Sequence, residues 1–215
     1  ILKGAAATAL YGSRAASGVV MITTKTGKKN KGLGIEYNGG LQWSTILRLP
    51  EFQNEFGMGW NGDHTELENG SWGPRFDGSM QLWGNKYENS QKLKPYSPIK
   101  NNIKDFFDAG FRYNNSVSFN GATDKSEYYV YFSQISDDGM IPTDADSYDK
   151  YTFSARGSHK VKALTFSSSL NYSYHKNKFA TTGQGLTMLN SLYQTPRDVS
   201  IIGLQDQNDI FNSPG

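Results

Sequence analysis

The sequence predicts a mainly β chain. About five long antiparallel strands form part of a transmembrane β-barrel, preceded by a short helix-and-strand segment. Three observations carry this reading. Apolar and polar residues alternate with a period of two over five separate stretches, which places them on opposite faces of strands. Those stretches run to roughly 9–13 residues, the length of a tilted membrane strand rather than the five or six residues of a typical soluble one. The connections between them run long, short, medium, short, long. Membrane barrels have this alternation, with short turns on the periplasmic side and longer loops outside.

Residues 2–11 are rich in Ala and Leu, which favour helix. Gly12 suits a left-handed helix terminus, where a missing Cβ removes the steric penalty. Gly18 precedes Val19-Val20-Met21-Ile22-Thr23-Thr24. This apolar run predicts a strand packed under the helix, with Gly12 and Gly18 as backbone joints. Gly27 and the lysines after it end the run.

From Gly34 the alternation begins. Ile35, Tyr37, Leu41 and Trp43 point one way, and Glu36, Asn38, Gln42 and Ser44 the other. Tyr113, Val117 and Phe119 alternate with Asn114, Ser116, Ser118 and Asn120. Tyr128–Ile135 is strand-like with less distinct faces. Tyr151, Phe153 and Ala155 alternate with Thr152, Ser154 and Arg156. The clearest case sets Leu164, Phe166, Leu170, Tyr172 and Tyr174 against Thr165, Ser167, Ser169, Asn171, Ser173 and His175. The first set is expected to face lipid and the second the lumen. With the longest connection at 48–111, the first strand is read as running outward.

Within 48–111, Pro50–Phe56 is expected to form a helical turn ended by Gly57. Asn101–Ala109 is expected to form a short helix with Ile103, Phe106 and Phe107 as its apolar side. Trp60, Trp72 and Trp83 all lie in this segment, too aromatic a stretch to be disordered.

Composition narrows the function. Lys plus Arg is 22 and Asp plus Glu 20, so the net charge of +2 gives no reason to expect a nucleic-acid partner. There is no Cys, which excludes disulfides, thiolate zinc sites and thiol nucleophiles. Aromatic residues make up 13%, among them 13 Tyr, whose apolar body and polar tip suit an oil–water boundary. No stretch approaches the roughly 18 apolar residues of a membrane helix. Ile1-Leu2-Lys3-Gly4-Ala5 is not a signal peptide, and Ser213-Pro214-Gly215 reads as loop. Both ends are therefore expected to be cut.

Motifs for chemistry are weak. Gly57-Met58-Gly59-Trp60-Asn61-Gly62 matches a dinucleotide fingerprint in form only, lacking the preceding strand and following helix. Asp137, Asp138, Asp144, Asp146 and Asp149 lack the Gly and bidentate Glu of a calcium loop, and Asp63, His64, Glu66 and Glu68 read as exposed loop. His64, His159 and His175 stand in no nucleophilic arrangement, so no enzyme, metal or cofactor is expected.

The stretch Leu2–Gly27, with Leu10-Tyr11-Gly12-Ser13-Arg14-Ala15-Ala16 and Thr23-Thr24-Lys25, resembles the end of the plug in TonB-dependent transporters of the SusC/RagA family. The resemblance continues through Glu51-Phe52-Gln53-Asn54, Gly70–Gly78, Asp105-Phe106-Phe107 and Thr195-Pro196-Arg197-Asp198. Gly4 departs from it, standing where many members carry an acidic residue. The resemblance implies an outer-membrane barrel of about 22 strands with a plugged lumen. Residues 1–32 would then close the plug and 33–215 open the barrel, with 48–111 extracellular. It further implies nutrient import, of a glycan or peptide, driven by the TonB complex through an N-terminal region absent here. A SusD-like lipoprotein would act as lid. Trp60, Trp72, Arg75, Trp83 and Tyr87 are the candidate substrate or lid contacts, although packing of the loop against itself also accounts for such aromatics. The alternative is a passive module, either a porin-like barrel or a carbohydrate-binding β sandwich. A small closed barrel needs at least about eight strands, and the first 27 residues would be unexplained.

Overall fold

The computed structural model describes residues 5–22, 25, 27, 34–183 and 185–212. In order these form α1 (Ala5–Tyr11), β1 (Gly34–Ser44), β2 (Met80–Tyr87), β3 (Ser90–Pro95), β4 (Gly110–Ala122), β5 (Ser126–Asp137), β6 (Tyr148–Val161), β7 (Leu164–Asn177) and α2 (Met188–Gln194). The chain divides into two compact units. One comprises Ile1–Asn38, Ser116–Ser133 and Thr152–Ser173; the other comprises Gly39–Asn115, Gln134–Tyr151 and Tyr174–Gly215.

The five predicted strands form one antiparallel sheet in the order β1-β4-β5-β6-β7. Its register is uniform. Across β1 and β4, Asn120 reaches the Gly34 carbonyl, Asn114 lies where a Cβ on Gly40 would stand, and Trp43 meets Phe111 edge-on. Across β4 and β5, the Thr123 N–H donates to the Ser126 carbonyl and the Asp138 N–H to Phe111. Ser126 meets His159, Ser158 donates to Glu127, and Ser136 donates to Asp149 across β5 and β6. Ser154 donates to Asn171, and Lys178 N–H to Ser147, across β6 and β7. In each pair a step forward on one strand is a step back on its neighbour.

Within the first unit this register sorts the side chains. One row holds Ile35, Phe119, Val130, Ala155 and Leu170, and the next on the same face holds Tyr37, Val117, Phe132, Phe153 and Tyr172. The opposite face carries Glu36, Ser118, Tyr131, Ser154 and Asn171, then Asn120, Tyr129, Arg156 and Ser169. The faces of Tyr128–Ile135, indistinct in the sequence, become definite once the neighbours set them. Tyr131 and Tyr129 lie on the polar side. Tyr128 lies directly across from Gly121, its ring and hydroxyl 2.6–2.7 Å from where a Cβ on Gly121 would be. The aromatic ring fills the surface that the missing side chain leaves open.

Before the sheet, Gly12 and Gly18 both have positive φ, +71° and +99°. Gly12 passes the chain from α1 into a 3₁₀ turn, Gly12–Ala15, and Ala7 and Ala15 are buried. The strand expected over Val19–Thr24 is corrected for its described part. Val19 makes a single bridge, while Val20, Met21 and Ile22 are exposed. Thr23 and Thr24 lie outside the described residues, as do Leu2–Gly4 of the expected helix and residues 28–33 around the expected domain boundary. Lys25 pairs with Glu36 at 3.2 Å, and its carbonyl accepts from Arg156. Gly27 fits tightly, since a Cβ there would stand 2.3 Å from the Gly121 carbonyl oxygen.

Two helical expectations are also corrected. Residues 50–54 form no helical turn. Gln53 instead folds back on its own chain, accepting from the Glu55 and Phe56 N–H groups and donating to the Phe56 carbonyl. Of Asn101–Ala109 only Lys104–Phe106 is helical, as one 3₁₀ turn.

Candidate functional site

The second unit contains the aromatic segment, and its core explains how that segment is ordered. β2 and β3 form a hairpin the sequence reading missed. Its two turn residues, Glu88 and Asn89, both have positive φ, the backbone that matches the right-handed twist of the flanking strands. Leu82 stands opposite Leu93, and Trp83 opposite Lys92. Trp83 turns inward to pack with Met58 and Val199, with Leu204 against them. A second cluster joins Ile103, Leu192 and Ile201 to Leu49, Phe52, Phe106, Phe107 and Met188. Both clusters draw on residues far downstream.

Those partners sit on a segment built by simple local rules. Thr187 caps α2, its hydroxyl accepting from the Asn190 N–H. Pro196 lies just past the helix end and turns Thr195 to an extended conformation. Arg197 and Asp198 then enter the core, where both are buried. The Arg197 guanidinium donates to the Gln53 carbonyl at 3.0 Å and Asn54 Oδ1 at 2.8 Å, and it lies over the Phe52 ring. Burial pulls its pKa below the ordinary value. The Arg197 N–H donates to Ser71 Oγ at 2.9 Å. Asp198 accepts from the Met58 N–H at 2.8 Å and forms an ion pair with Lys94. Asn102 accepts from the Ile201 N–H at 2.9 Å and donates to the Val199 carbonyl.

Tyr96 lies beneath this frame. Its hydroxyl donates to the Pro74 carbonyl at 2.9 Å, and its ring meets Phe76 and His64. Burial, with the Asp198 charge nearby, pushes the phenol up to about 12.

Two glycines of the fingerprint-like run, Gly57 and Gly59, serve packing. A Cβ on Gly57 would stand 2.4 Å from the Phe76 ring, and one on Gly59 2.1 Å from the Asp63 carbonyl oxygen. Close approach of the Phe76 ring to Gly57 and of the Asp63 carbonyl to Gly59, not a phosphate cradle, requires these two glycines, while Gly62 has open space beside it and a φ of +87°. Asp146 of the acidic cluster accepts from the Met140 and Ile141 N–H groups and so ties its own loop.

The five candidate contacts separate. Trp60 and Trp72 are 59% and 70% exposed. Their backbones are adjacent, with the Trp72 N–H donating to Gly59 and the Gly62 N–H to the Trp72 carbonyl. Arg75 is exposed, pairs with Glu55 at 3.0 Å and lies over Phe56. Tyr87 is half exposed at the hairpin tip. Trp83, at 8%, takes the packing role. Sequence reasoning gave Thr195–Asp198 no role. The stretch entered only through the family resemblance, and a buried Arg–Asp step leaves no periodicity to announce its burial.

No protein-family model matches the chain. It is 25% identical over 188 residues to the TonB-dependent receptor SusC of Bacteroides thetaiotaomicron, a match covering 86% of this chain and 16% of that protein. Two TonB-dependent receptors of Formosa agariphila, P3 and P26, are each 28% identical, covering 66% and 86% of this chain. The chain spans only 12–17% of the length of these relatives. Over most of its length, then, the chain is similar to TonB-dependent receptors, SusC among them.

Proposed function

We propose that this chain is the stretch of a TonB-dependent outer-membrane importer where the end of the plug, 1–32, meets the first strands of the barrel, 33–215. The observation that carries the reading is the two-faced sheet. Apolar rows cross all five strands on one side, as lipid contact requires, and polar rows cross on the other. Lys25, from the segment before β1, pairs with Glu36 on that polar face, which supports assigning it to a plugged lumen. The similarity to TonB-dependent receptors supports the energy source. The whole protein would import a glycan or peptide with a SusD-like lipoprotein as lid. The aromatic segment would stand outside the cell, with Trp60, Trp72, Arg75 and Tyr87 facing substrate or lid.

The test is growth on candidate oligosaccharides and peptides by cells carrying the full-length protein, with and without TonB. Deleting either the transporter or TonB should abolish growth on the imported nutrient. Growth that survives without TonB would make the protein a passive barrel. Affinity capture of the intact transporter should recover a surface lipoprotein.

A further inference from the structure

Trp60 and Trp72 are mostly exposed, yet the backbone on which they hang is fastened on either side of them. Ser71, next to Trp72, accepts from the Arg197 N–H at 2.9 Å. Met58, two residues before Trp60, donates to the Asp198 carboxylate at 2.8 Å. Gln53, whose carbonyl the Arg197 guanidinium holds, also reaches the Ser71 carbonyl. Beyond these, Asn69 donates to Gln194 at 2.9 Å. Three of these anchors, at Gln194, Arg197 and Asp198, come from residues 194–198.

We infer that Arg197 and Asp198 are positioning residues for an aromatic binding surface made by Trp60 and Trp72. They touch no ligand. The Arg197 guanidinium on the Gln53 carbonyl, its N–H on Ser71 Oγ and the Asp198 carboxylate on the Met58 N–H fix the backbone that carries the two indoles before a ligand arrives, so binding does not have to order the loop. The segment after β7 thereby sets the recognition geometry of the segment after β1. The inference rests on the proposed role of Trp60 and Trp72 in meeting the imported substrate.

The test uses the full-length transporter labelled with 5-fluorotryptophan, the signals of positions 60, 72 and 83 being assigned by Trp60→Phe, Trp72→Phe and Trp83→Phe. Ser71→Ala removes the acceptor of the Arg197 N–H and leaves the buried ion pair whole. It should shift and broaden the Trp72 signal and leave Trp83 in place, and Ser71→Thr should restore the signal. Arg197→Lys keeps the charge but loses the planar fork, and should move both Trp60 and Trp72. Unmoved Trp60 and Trp72 signals in Ser71→Ala and Arg197→Lys would overturn the inference. So would a Trp83 shift accompanied by a lower midpoint in Ser71→Ala, which would make the contact one of general stability. The half-saturating concentration for uptake should rise about fivefold in Ser71→Ala with the maximal rate kept, the effect of roughly one hydrogen bond. If the fluorine signals move and uptake does not, the positioning stands and the assigned role of the tryptophans fails.

Discussion

Lys94 and Asp198 form a buried ion pair between positions 104 residues apart in sequence, and the same ammonium donates to the Asp198 carbonyl at 3.0 Å. The other carboxylate oxygen takes the Met58 N–H, so one side chain joins β3, the glycine-rich turn and the segment after α2. Removing one member of a buried pair strands the other charge. Asp198→Ala should therefore destabilise the second unit by about 3–5 kcal/mol. Limited proteolysis of the full-length protein in outer membranes should then cut within 48–109 well before wild type is cut. Equal protease resistance would show that the pair does not hold the segment.

The row containing Ile35, Phe119, Val130, Ala155 and Leu170 should meet lipid. Leu170→Arg should cost about 2–4 kcal/mol if it lies near the bilayer midplane. Asn171→Arg, on the face where Ser154 donates to Asn171 at 2.8 Å, should be far milder. Assembly in outer membranes, read by heat-modifiable migration, separates the two, and equal effects count against the barrel. For sidedness, a thiol at Asp144 should be labelled from outside intact cells and one at Asp124 should not. Asp144 serves better than Asp146, whose carboxylate holds the Met140 and Ile141 N–H groups.

The five strands were legible because period-two alternation is a local signal, and Leu164–Tyr174 carries it almost unbroken. Long-range packing was not. Nothing near Trp83 announces that Met58 and Val199 cover it, so an exposed contact and a core residue look alike in sequence. Pro50–Phe56 read as a helical turn from Pro50 and two Phe, but Gln53 takes the local N–H groups with its own side chain. The β2–β3 hairpin escaped because its turn uses Glu88 and Asn89 rather than the Asn-Gly pair that marks such turns.

Gly27 leaves no room for a side chain. A Cβ there would stand 2.3 Å from the Gly121 carbonyl oxygen and 2.8 Å from the Tyr128 N and O, all backbone atoms of paired strands. Gly27→Ala must push its own segment away, at about 1–3 kcal/mol, and should speed tryptic cleavage after Lys25. Gly12→Ala provides the contrast. Nothing lies within 4 Å of its Cβ position, but φ is +71°, so its strain is conformational and should leave cleavage after Lys25 unchanged.

Tyr96 gives the second unit an alkaline limit. Its phenol is raised from 10.0 to about 12, chiefly by burial. Since the folded value lies above the unfolded one, the stability it contributes is complete below pH 10 and is lost as pH rises toward 12. A difference titration at the tyrosinate band, wild type minus Tyr96→Phe, should show one group ionising near 12. A midpoint at the ordinary value would mean that the Tyr96 phenol is not buried in the folded protein.

Exposure divides the tryptophans into two experiments. Trp60 and Trp72 stand mostly in solvent, so Trp60→Ala and Trp72→Ala should change stability by no more than about 0.5 kcal/mol. Any loss of uptake or of lipoprotein capture in these variants is then a loss of contact. Trp83 fills the space between Met58 and Val199, with Lys92 over its ring. Trp83→Ala should remove about 3–5 kcal/mol of stability and impair uptake only by loosening the segment. Trp83→Phe keeps most of the buried area and should recover both protease resistance and uptake, whereas Trp72→Phe should recover uptake only to the extent that a smaller ring still reaches the ligand. If all of Trp60→Ala, Trp72→Ala and the double variant leave uptake and lipoprotein capture intact, the exposed indoles are not the contact surface, and the proposed role of segment 48–111 at the transport entrance is wrong.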